Sequence, residues 1–394
     1  MIIRKMFFGF FGVALYLCGN YALQWSSAFA ADYLTTSTLT TETVEDCLPA
    51  SDKNTIQVAL LLDTSSSMSG LIEQAKSQLW NILNQLARTT HNDQETSLEI
   101  ALYEYGNPNK ATSKYQINQL TPFTTDMDLV SEKLFSLRTS GGEEYCGAII
   151  KHSFDELKWI KGDGLKIIYI AGNEEFDQGP ISFKTSCQKA VESGITINTI
   201  YCGGKEAGIN ELWKAGAIAG RGDYMFIEQN RATVYVPTPY DKEIQRLNSE
   251  LNKTYIPFGK EGQKKKENQE MQDTNAGSYS LSNVSDRAAY KSSKKYSATS
   301  WDLIDAYADD NTIINTAEVT VDSLQGLSIE ELEVKIKIVS SQRAAIQKDI
   351  QELDKKRREY KAENAAPTEE TSLQKSIISN VNKLAKDKGY RVKE

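Results

Sequence analysis

The chain has 394 residues, 40% of them apolar and 25% charged, an ordinary globular mixture that is long enough to bury one or two cores. Its 53 acidic side chains outnumber 45 basic ones, and the formal net charge is -8. This acidity argues against binding to nucleic acid or to anionic lipid surfaces.

The N-terminus has the three parts of a secretory signal peptide. Arg4 and Lys5 form a positive start, an apolar run covers residues 6–17, and Ala28-Phe29-Ala30 offers a small-residue cleavage site. The apolar run is too short to cross a membrane. We therefore predict a signal peptide over residues 1–30, an exported protein that is periplasmic or secreted, and no transmembrane span in the mature chain.

Cysteine usage agrees with export, because an even number of cysteines remains after the signal peptide and Cys18 are removed. In an oxidising compartment four cysteines predict two disulfides, and the sequence does not separate the three possible pairings. The alternative is four reduced, buried thiols. No C-x-x-C spacing is present, which argues against zinc binding and thiol redox chemistry. The four are Cys47, Cys146, Cys187 and Cys202.

A lead-in over residues 31–54 is rich in Ser and Thr, and after it strand and helix patterns alternate. Apolar runs of strand length begin at Ile56, Leu98, Leu165, Ile195 and Tyr224. Amphipathic stretches lie between and after them, at residues 71–86, 147–160, 182–193, 210–219 and 240–255. This order predicts an α/β domain over residues 55–257, with a doubly wound, mostly parallel sheet and helices on both faces.

The composition changes after Pro257, where we predict a polar linker with short helices over residues 258–323. A helix with a coiled-coil pattern is predicted over residues 324–363, and a basic polar tail over residues 364–394. The coiled coil would allow a homodimer, with Arg343 and Arg357 on its seam. The alternative is one long helix lying on the protein's own surface. The apolar seam consists of Leu332, Ile336, Val339, Ile346, Ile350, Leu353 and Tyr360.

The loop Asp63-Thr64-Ser65-Ser66-Ser67 lies directly after the first predicted strand and directly before an amphipathic helix. Ligands of open parallel sheets bind at the carboxyl ends of the strands, where the strand order reverses. Asp63, Ser65 and Ser67 supply hard oxygen donors, which suit Mg²⁺, Mn²⁺ or Ca²⁺. The alternative is that these side chains only form the turn and cap the helix.

The segment Leu60-Leu61-Leu62-Asp63-Thr64-Ser65-Ser66-Ser67-Met68-Ser69 resembles the metal-ion-dependent adhesion site of von Willebrand factor type A (vWA) domains. The resemblance extends over residues 55–236. It implies a doubly wound sheet, a divalent cation on the top face of that sheet, and a protein ligand in place of catalysis.

Two of the five ligand positions usual in that family are changed. Glu143 stands where a Thr is usual in the second loop, and Gly172 stands where an Asp is usual in the third. Glu143, with Glu174, would ligate the ion directly and restore the lost charge. Alternatively, an acidic face would bind a basic partner with no metal. That face comprises Glu143, Glu144, Glu174, Glu175 and Asp177.

These patterns predict a non-enzymatic protein-interaction or adhesion-type module of the cell envelope, whose protein ligand the sequence does not identify. The alternative is a metal-free envelope scaffold that uses the acidic face and the coiled coil. A metal-dependent hydrolase is a remote third hypothesis. Neither His91 nor His152 lies in a catalytic motif, and the chain has no nucleophile elbow or phosphate-binding loop.

Overall fold

A six-stranded sheet forms the centre of the protein, with five parallel strands and one antiparallel edge strand. The computed structural model describes residues 54–109, 114–228, 235–315, 324, 326–364 and 373–392. The strands are β1 (Thr55–Asp63), β2 (Thr89–His91), β3 (Gln94–Glu95), β4 (Ser97–Tyr105), β5 (Ile117–Thr124), β6 (Leu165–Gly172), β7 (Thr196–Tyr201), β8 (Arg221–Phe226) and β9 (Tyr390–Val392). The order in the central sheet is β5-β4-β1-β6-β7-β8.

Helices cover both faces of this sheet, as the alternation of patterns predicts. They are α1 (Ser69–Ala87), α2 (Met127–Ser136), α3 (Cys146–Glu156), α4 (Phe183–Glu192), α5 (Lys205–Asn210), α6 (Trp213–Ala219), α7 (Asp241–Lys253), α8 (Gly262–Gly277), α9 (Leu281–Lys291), α10 (Leu303–Asp309), α11 (Ile329–Glu363) and α12 (Leu373–Asp387). One core cluster joins the sheet to α1, α2 and α12, and the other joins it to α3, α4 and α6. The doubly wound fold is therefore confirmed.

Strand β1 lies in the middle of the sheet because its apolar run can be buried on both faces. Ile56, Val58, Ala59 and Leu61 are all fully buried. Its neighbours are β4 on one side and β6 on the other, so the strand order reverses beside β1. The loop after Asp63 therefore begins at the crevice where ligands of this fold class bind.

The segment predicted as a polar linker is instead a second layer of helices that packs on α1 and α2. Helix α8 has almost no apolar residues, yet Gln269 and Gln272 are buried in it. Gln272 accepts a hydrogen bond from Ser131 of α2 at 2.8 Å, and Gln269 donates one to Tyr296 at 2.8 Å. Hydrogen bonds of this kind allow side-chain amides to be buried. The polar composition of α8 therefore did not predict its burial.

The coiled-coil prediction is wrong, and the alternative of a helix on the protein's own surface is right. The seam of α11 packs against α7, α9 and α10 of the same chain. Arg343 donates to Asp302 at 2.6 Å and to Asp305 at 2.6 Å, and Arg357 donates to Asp241 at 2.7 Å. Both buried arginines have carboxylate partners within the chain, so the chain itself covers this part of the seam.

The predicted basic tail is also part of the domain. Leu373, Ile377, Val381 and Ala385 of α12 are buried in the core beside α1, and β9 pairs with β2 in a small sheet of order β3-β2-β9. Asn380 of α12 accepts a hydrogen bond from the buried hydroxyl of Tyr169 at 2.7 Å. Helix α12 therefore covers part of the same sheet face as α1.

The prediction of two disulfides is contradicted, because Cys146, Cys187 and Cys202 are buried free thiols. They lie on three different elements, at the start of α3, within α4 and just after β7. Cys187 donates to the carbonyl of Gly216 and Cys202 to that of Ile200, each at 3.9 Å. These thiols fill apolar core positions. Cys47, the predicted signal peptide and the lead-in up to residue 53 lie outside the described residues.

No helix in the described part of the chain combines the length and apolarity that a membrane crossing requires.

A buried ionic cluster joins the second layer of helices to the sheet domain. Arg287 of α9 donates to Asp128 of α2 at 2.6 Å and pairs with Asp273 of α8. Lys291, one turn further along α9, lies 3.1 Å from Asp273. Burial alone would raise the pKa of Asp273, but the charges of Lys291 and Arg287 hold it below its ordinary value.

We expect Ile377→Ala to lower the free energy of unfolding by about 2–4 kcal/mol, because it opens a cavity in the core beneath α12. Ile377 is 4% exposed, whereas Ile218 is 68% exposed. The matched control Ile218→Ala should therefore change stability by less than about 0.5 kcal/mol. Urea unfolding measures both. Equal effects would mean that α12 does not contribute to the core.

Asp273 should make the protein acid-sensitive. Its pKa is lowered on folding, so its stabilising effect is present above the unfolded value of about 3.9 and is lost as the pH falls below it. Asp273→Asn should destabilise the protein at pH 7, because Arg287 and Lys291 lose their partner, and should flatten the loss of stability between pH 5 and 2. Urea unfolding as a function of pH measures this slope. The control Asp177→Asn, at an exposed position, should leave the slope unchanged.

Candidate metal site

The candidate site lies at the carboxyl edge of the sheet, where the loops after β1, β4 and β6 meet. Thr64 fixes the first loop, since its amide donates to the carbonyl of Tyr105 at 2.9 Å. The amide of Ser140 donates to the carbonyl of Thr64, also at 2.9 Å. Backbone hydrogen bonds therefore hold the Asp63 loop against the end of β4 and against the loop that leads to α3.

Asp63 is the buried centre of the site, with 0% of its surface exposed. Its Oδ1 accepts a hydrogen bond from the amide of Ser65 at 2.7 Å, whereas Oδ2 is buried with no hydrogen-bond partner. Burial, and then the charges of Glu144 and Glu174, raise the pKa of Asp63 to about 8. A buried carboxylate oxygen without a donor is costly, and a cation would relieve that cost.

A chain of neutral oxygen donors extends from Asp63 towards solvent. The hydroxyls of Ser65 and Ser67 lie 3.2 Å apart, and the hydroxyl of Ser67 donates to Oδ1 of Asn173 at 3.2 Å. Ser65 is buried, while Ser67 is exposed. The structure thus brings together the three residues predicted from the first loop, Asp63, Ser65 and Ser67, and adds Asn173 from the loop after β6.

Glu144, rather than the predicted Glu143, is the second-loop carboxylate beside Asp63. Glu143 is exposed, and its carboxylate accepts a hydrogen bond from the hydroxyl of Tyr145. Glu144 is 6% exposed, and its pKa is raised to about 7, first by burial and then by the charge of Glu174. Glu143 thus has a protein partner in Tyr145, and its role as a metal ligand stays a prediction.

Burial differs from residue to residue in the irregular segment before α3. Glu144 and Cys146 are buried, Tyr145 is half-buried and Glu143 is exposed. The sequence pattern of this segment did not distinguish Glu144 from Glu143. Asn173 likewise had no sequence signal, because it lies in an irregular loop.

Glu174 lies at the rim of the site. Its side chain is exposed, and its charge acts on both Asp63 and Glu144. Among the described residues there is no group of three or more His, Cys, Asp or Glu side chains arranged to hold an ion. A cation at this edge would therefore depend on hydroxyl and amide oxygens together with Asp63.

Two glycines leave room for the carboxylate. Gly106 has a φ of +76°, and a Cβ there would lie 2.9 Å from Oδ1 of Asp63. A Cβ at Gly172 would lie 2.7 Å from the hydroxyl of Tyr105 and 3.1 Å from Oδ2 of Asp63. An Asp at position 172, as in the resembled family, does not fit against Tyr105. The buried hydroxyl of Tyr105, which donates to the carbonyl of Ala171 at 3.0 Å, occupies the space instead.

The donor set fits a hard divalent cation. Asp63 supplies a carboxylate with one oxygen free of hydrogen bonds, and Ser65, Ser67 and Asn173 supply neutral oxygens on the solvent side. Such all-oxygen sets suit Mg²⁺, Mn²⁺ or Ca²⁺, and a single charged ligand leaves the ion with surplus positive charge.

The two histidines have their own partners elsewhere in the described structure. His91 stacks on Tyr390 with ring centroids 4.5 Å apart, and His152 lies 2.6 Å from Glu156 on the same helix. Neither contacts Asp63, Ser65 or Ser67, so no acid–base pair is formed with the candidate site.

Neither a protein-family model nor a curated protein matches the chain. Solved structures that are similar include BatB from Bacteroides thetaiotaomicron, with 16% identity over 44% of this chain and 90% of that chain and a TM-score of 0.33. The SpRpn10 VWA domain matches with 15% identity over 46% of this chain and 99% of that chain, also with a TM-score of 0.33.

Proximal thread matrix protein 1 from the mussel byssus matches with 12% identity over 45% of this chain, at a TM-score of 0.33. This chain covers 42% of the length of that protein. The strand order and the side-chain geometry, rather than these similarities, support the vWA-like fold and the candidate site.

Gly172→Ala should lower the free energy of unfolding by about 1–3 kcal/mol, because the new methyl group would overlap the hydroxyl of Tyr105 and crowd Asp63. Gly204→Ala is the matched control, since a Cβ there meets no atom within 4 Å. Denaturant unfolding of the two variants measures the difference. A Gly172→Ala protein as stable as the control would mean that this edge has space to spare.

Proposed function

We propose that the protein is a non-enzymatic interaction module of the cell envelope, which binds a protein partner at the carboxyl edge of its sheet through a divalent cation. The observation that carries the proposal is the buried Oδ2 of Asp63, which has no hydrogen-bond partner at the reversal point of the strand order. The predicted signal peptide supports an exported location, periplasmic or secreted.

Asp63, Ser65 and Ser67 would hold the ion, with Asn173 from the adjoining loop. The cation supplies Lewis acidity, which would attract an acidic side chain of the partner. Ser67 is exposed and Asp63 is buried, so the partner would approach from the side of Ser67. Glu174 was predicted to ligate the ion. We propose instead that it places a negative charge at the rim of the site, where it would disfavour acidic ligands that approach from its side.

Glu144 would modulate the charge of the ion. Its carboxyl lies beside Asp63, and when it is ionised it would offset part of the surplus positive charge. An ion with two nearby carboxylates attracts an acidic ligand less strongly than an ion with one. We therefore expect the strength of partner binding to depend on Glu144 and not on the exposed Glu143.

Metal binding is tested first. Mg²⁺, Mn²⁺ or Ca²⁺ at a hundred times its dissociation constant should stabilise the folded protein by about 2.7 kcal/mol, since only the folded state forms the site. Asp63→Asn should abolish this stabilisation, and Ser67→Ala should weaken it. Asp177→Asn changes an exposed acidic residue of the same edge and serves as the control. Titration calorimetry and thermal unfolding measure both effects.

The absence of heat and of a thermal shift with all three ions would contradict metal binding. The matched pair Glu144→Gln and Glu143→Gln then tests the second-loop assignment. We expect only Glu144→Gln to change the affinity for the ion. Equal effects of the two substitutions would contradict the assignment of Glu144.

Partner capture is tested with an envelope extract in Mg²⁺ and then in EDTA. We expect a protein that is retained in Mg²⁺, released by EDTA and not retained by Asp63→Asn. Capture that is unaffected by EDTA but lost when Glu174, Glu175 and Asp177 are neutralised would favour the metal-free acidic face. The seam of α11 is buried in this chain, so a scaffold built on a coiled coil has no support.

A further inference from the structure

A cleft of about 320 Å³ lies at the other end of α1 from the candidate metal site. It opens between the C-terminal ends of α1 and α9, the β3 strand and the second half of α11. Helix α1 has 19 residues, so the two sites are separated by about 28 Å. The charged residues that line the cleft are Arg88, Glu95, Lys294, Lys295, Asp354 and Arg358.

Positive charge is in excess in this cleft, although the whole chain carries a net charge of -8. Both acidic residues of the lining already have cationic partners. Glu95 pairs with Lys295 at 3.2 Å, and Asp354 pairs with Arg358 at 3.2 Å. Arg88 and Lys294 form no salt bridge within the described residues, so two positive charges remain uncompensated there.

Arg88 has a buried hydrogen-bond donor that nothing in the described structure satisfies. Its Nε is buried without a partner, while one terminal nitrogen donates to Gln85. Burial, and then the nearby charge of Arg358, lower the pKa of Arg88, whereas the carboxylates of Asp354 and Asp286 act in the opposite direction. The buried Nε donor is costly without a partner, and an anion between the two guanidinium groups would relieve that cost.

Arg358 and Lys294 offer further donors. The Nε of Arg358 donates to Asp354, and its two terminal nitrogens have no hydrogen-bond partner among the described residues. Lys294 is exposed and makes no hydrogen bond there. The partial negative charge at the C-termini of α1 and α9 would attract a cation at each helix end. It does not provide a hydrogen-bond partner for the buried Nε of Arg88.

We propose that this cleft binds a small oxyanion of the phosphate class, held between the guanidinium groups of Arg88 and Arg358. The planar guanidinium group presents paired N–H donors whose spacing matches two oxygens of one phosphate. Lys294, at the mouth of the cleft, supplies a third positive charge. The volume admits inorganic phosphate or a small phosphate ester, and the site is independent of the proposed cation site.

The test uses the mature chain carrying Asp63→Asn, in EDTA, so that phosphate bound by an ion at the other edge does not contribute. Inorganic phosphate, glycerol phosphate and succinate are titrated by calorimetry in chloride at constant ionic strength. We expect both phosphates to bind and succinate to bind at least about tenfold more weakly. The tighter of the two phosphates identifies the source as the free ion or an ester.

Arg88→Gln and Arg358→Gln should each weaken phosphate binding by about tenfold or more, and Lys294→Gln by a few-fold. Arg246→Gln is the matched control, because it removes the same charge from an exposed arginine paired with Glu243. Thermal unfolding without phosphate checks that each variant is folded. Absence of phosphate binding, equal binding by the cleft variants and the control, or tighter binding of succinate would each overturn the proposal.

Discussion

The central burial of β1 is the constraint on which the rest of the structure depends. An apolar strand with neighbours on both sides and helices on both faces brings its last residue, Asp63, to the end of the sheet without access to water. Burial then raises the pKa of Asp63, and the loops after β4 and β6 must leave it space. Gly106 and Gly172 provide that space, because a Cβ at either position would crowd the carboxylate of Asp63.

The second layer of helices is held by a different interaction, the pairing of buried arginines with aspartates from other elements. Arg287 joins α9 to α2 and α8, Arg343 joins α11 to the segment around α10, and Arg357 joins α11 to α7 and α9. Removing one partner of such a pair leaves a buried charge and costs about 3–5 kcal/mol. These pairs define where α11 lies, because a guanidinium group has few positions in which all its hydrogen bonds are made.

Helix α1 links the two ends of the molecule at which we propose ligands. Its N-terminus follows the Asp63 loop, and its C-terminus carries Arg88 into the cationic cleft. Between them, α1 packs on the sheet, on α9 and on α12. The same rigid element therefore positions a carboxylate site at one end and a guanidinium site at the other, with opposite charge preferences.

The sequence by itself determined the features that depend on local pattern. The apolar runs of β1, β4 and β6 and the amphipathic period of α1 predicted the doubly wound sheet, and the Asp63 loop was identified because it directly follows a buried strand. Only the tertiary structure decided the features that depend on distant partners. Glu144 is buried and Glu143 is exposed in a segment without regular secondary structure, so their surroundings are set by distant elements. The polar helix α8 is buried where Ser131 and Tyr296 form hydrogen bonds with two of its glutamines. The seam of α11 has the period of a coiled coil whether its partner is a second chain or α7 and α9. Periodicity records that a face is buried, but the identity of the covering surface is a long-range property that no local window of sequence contains.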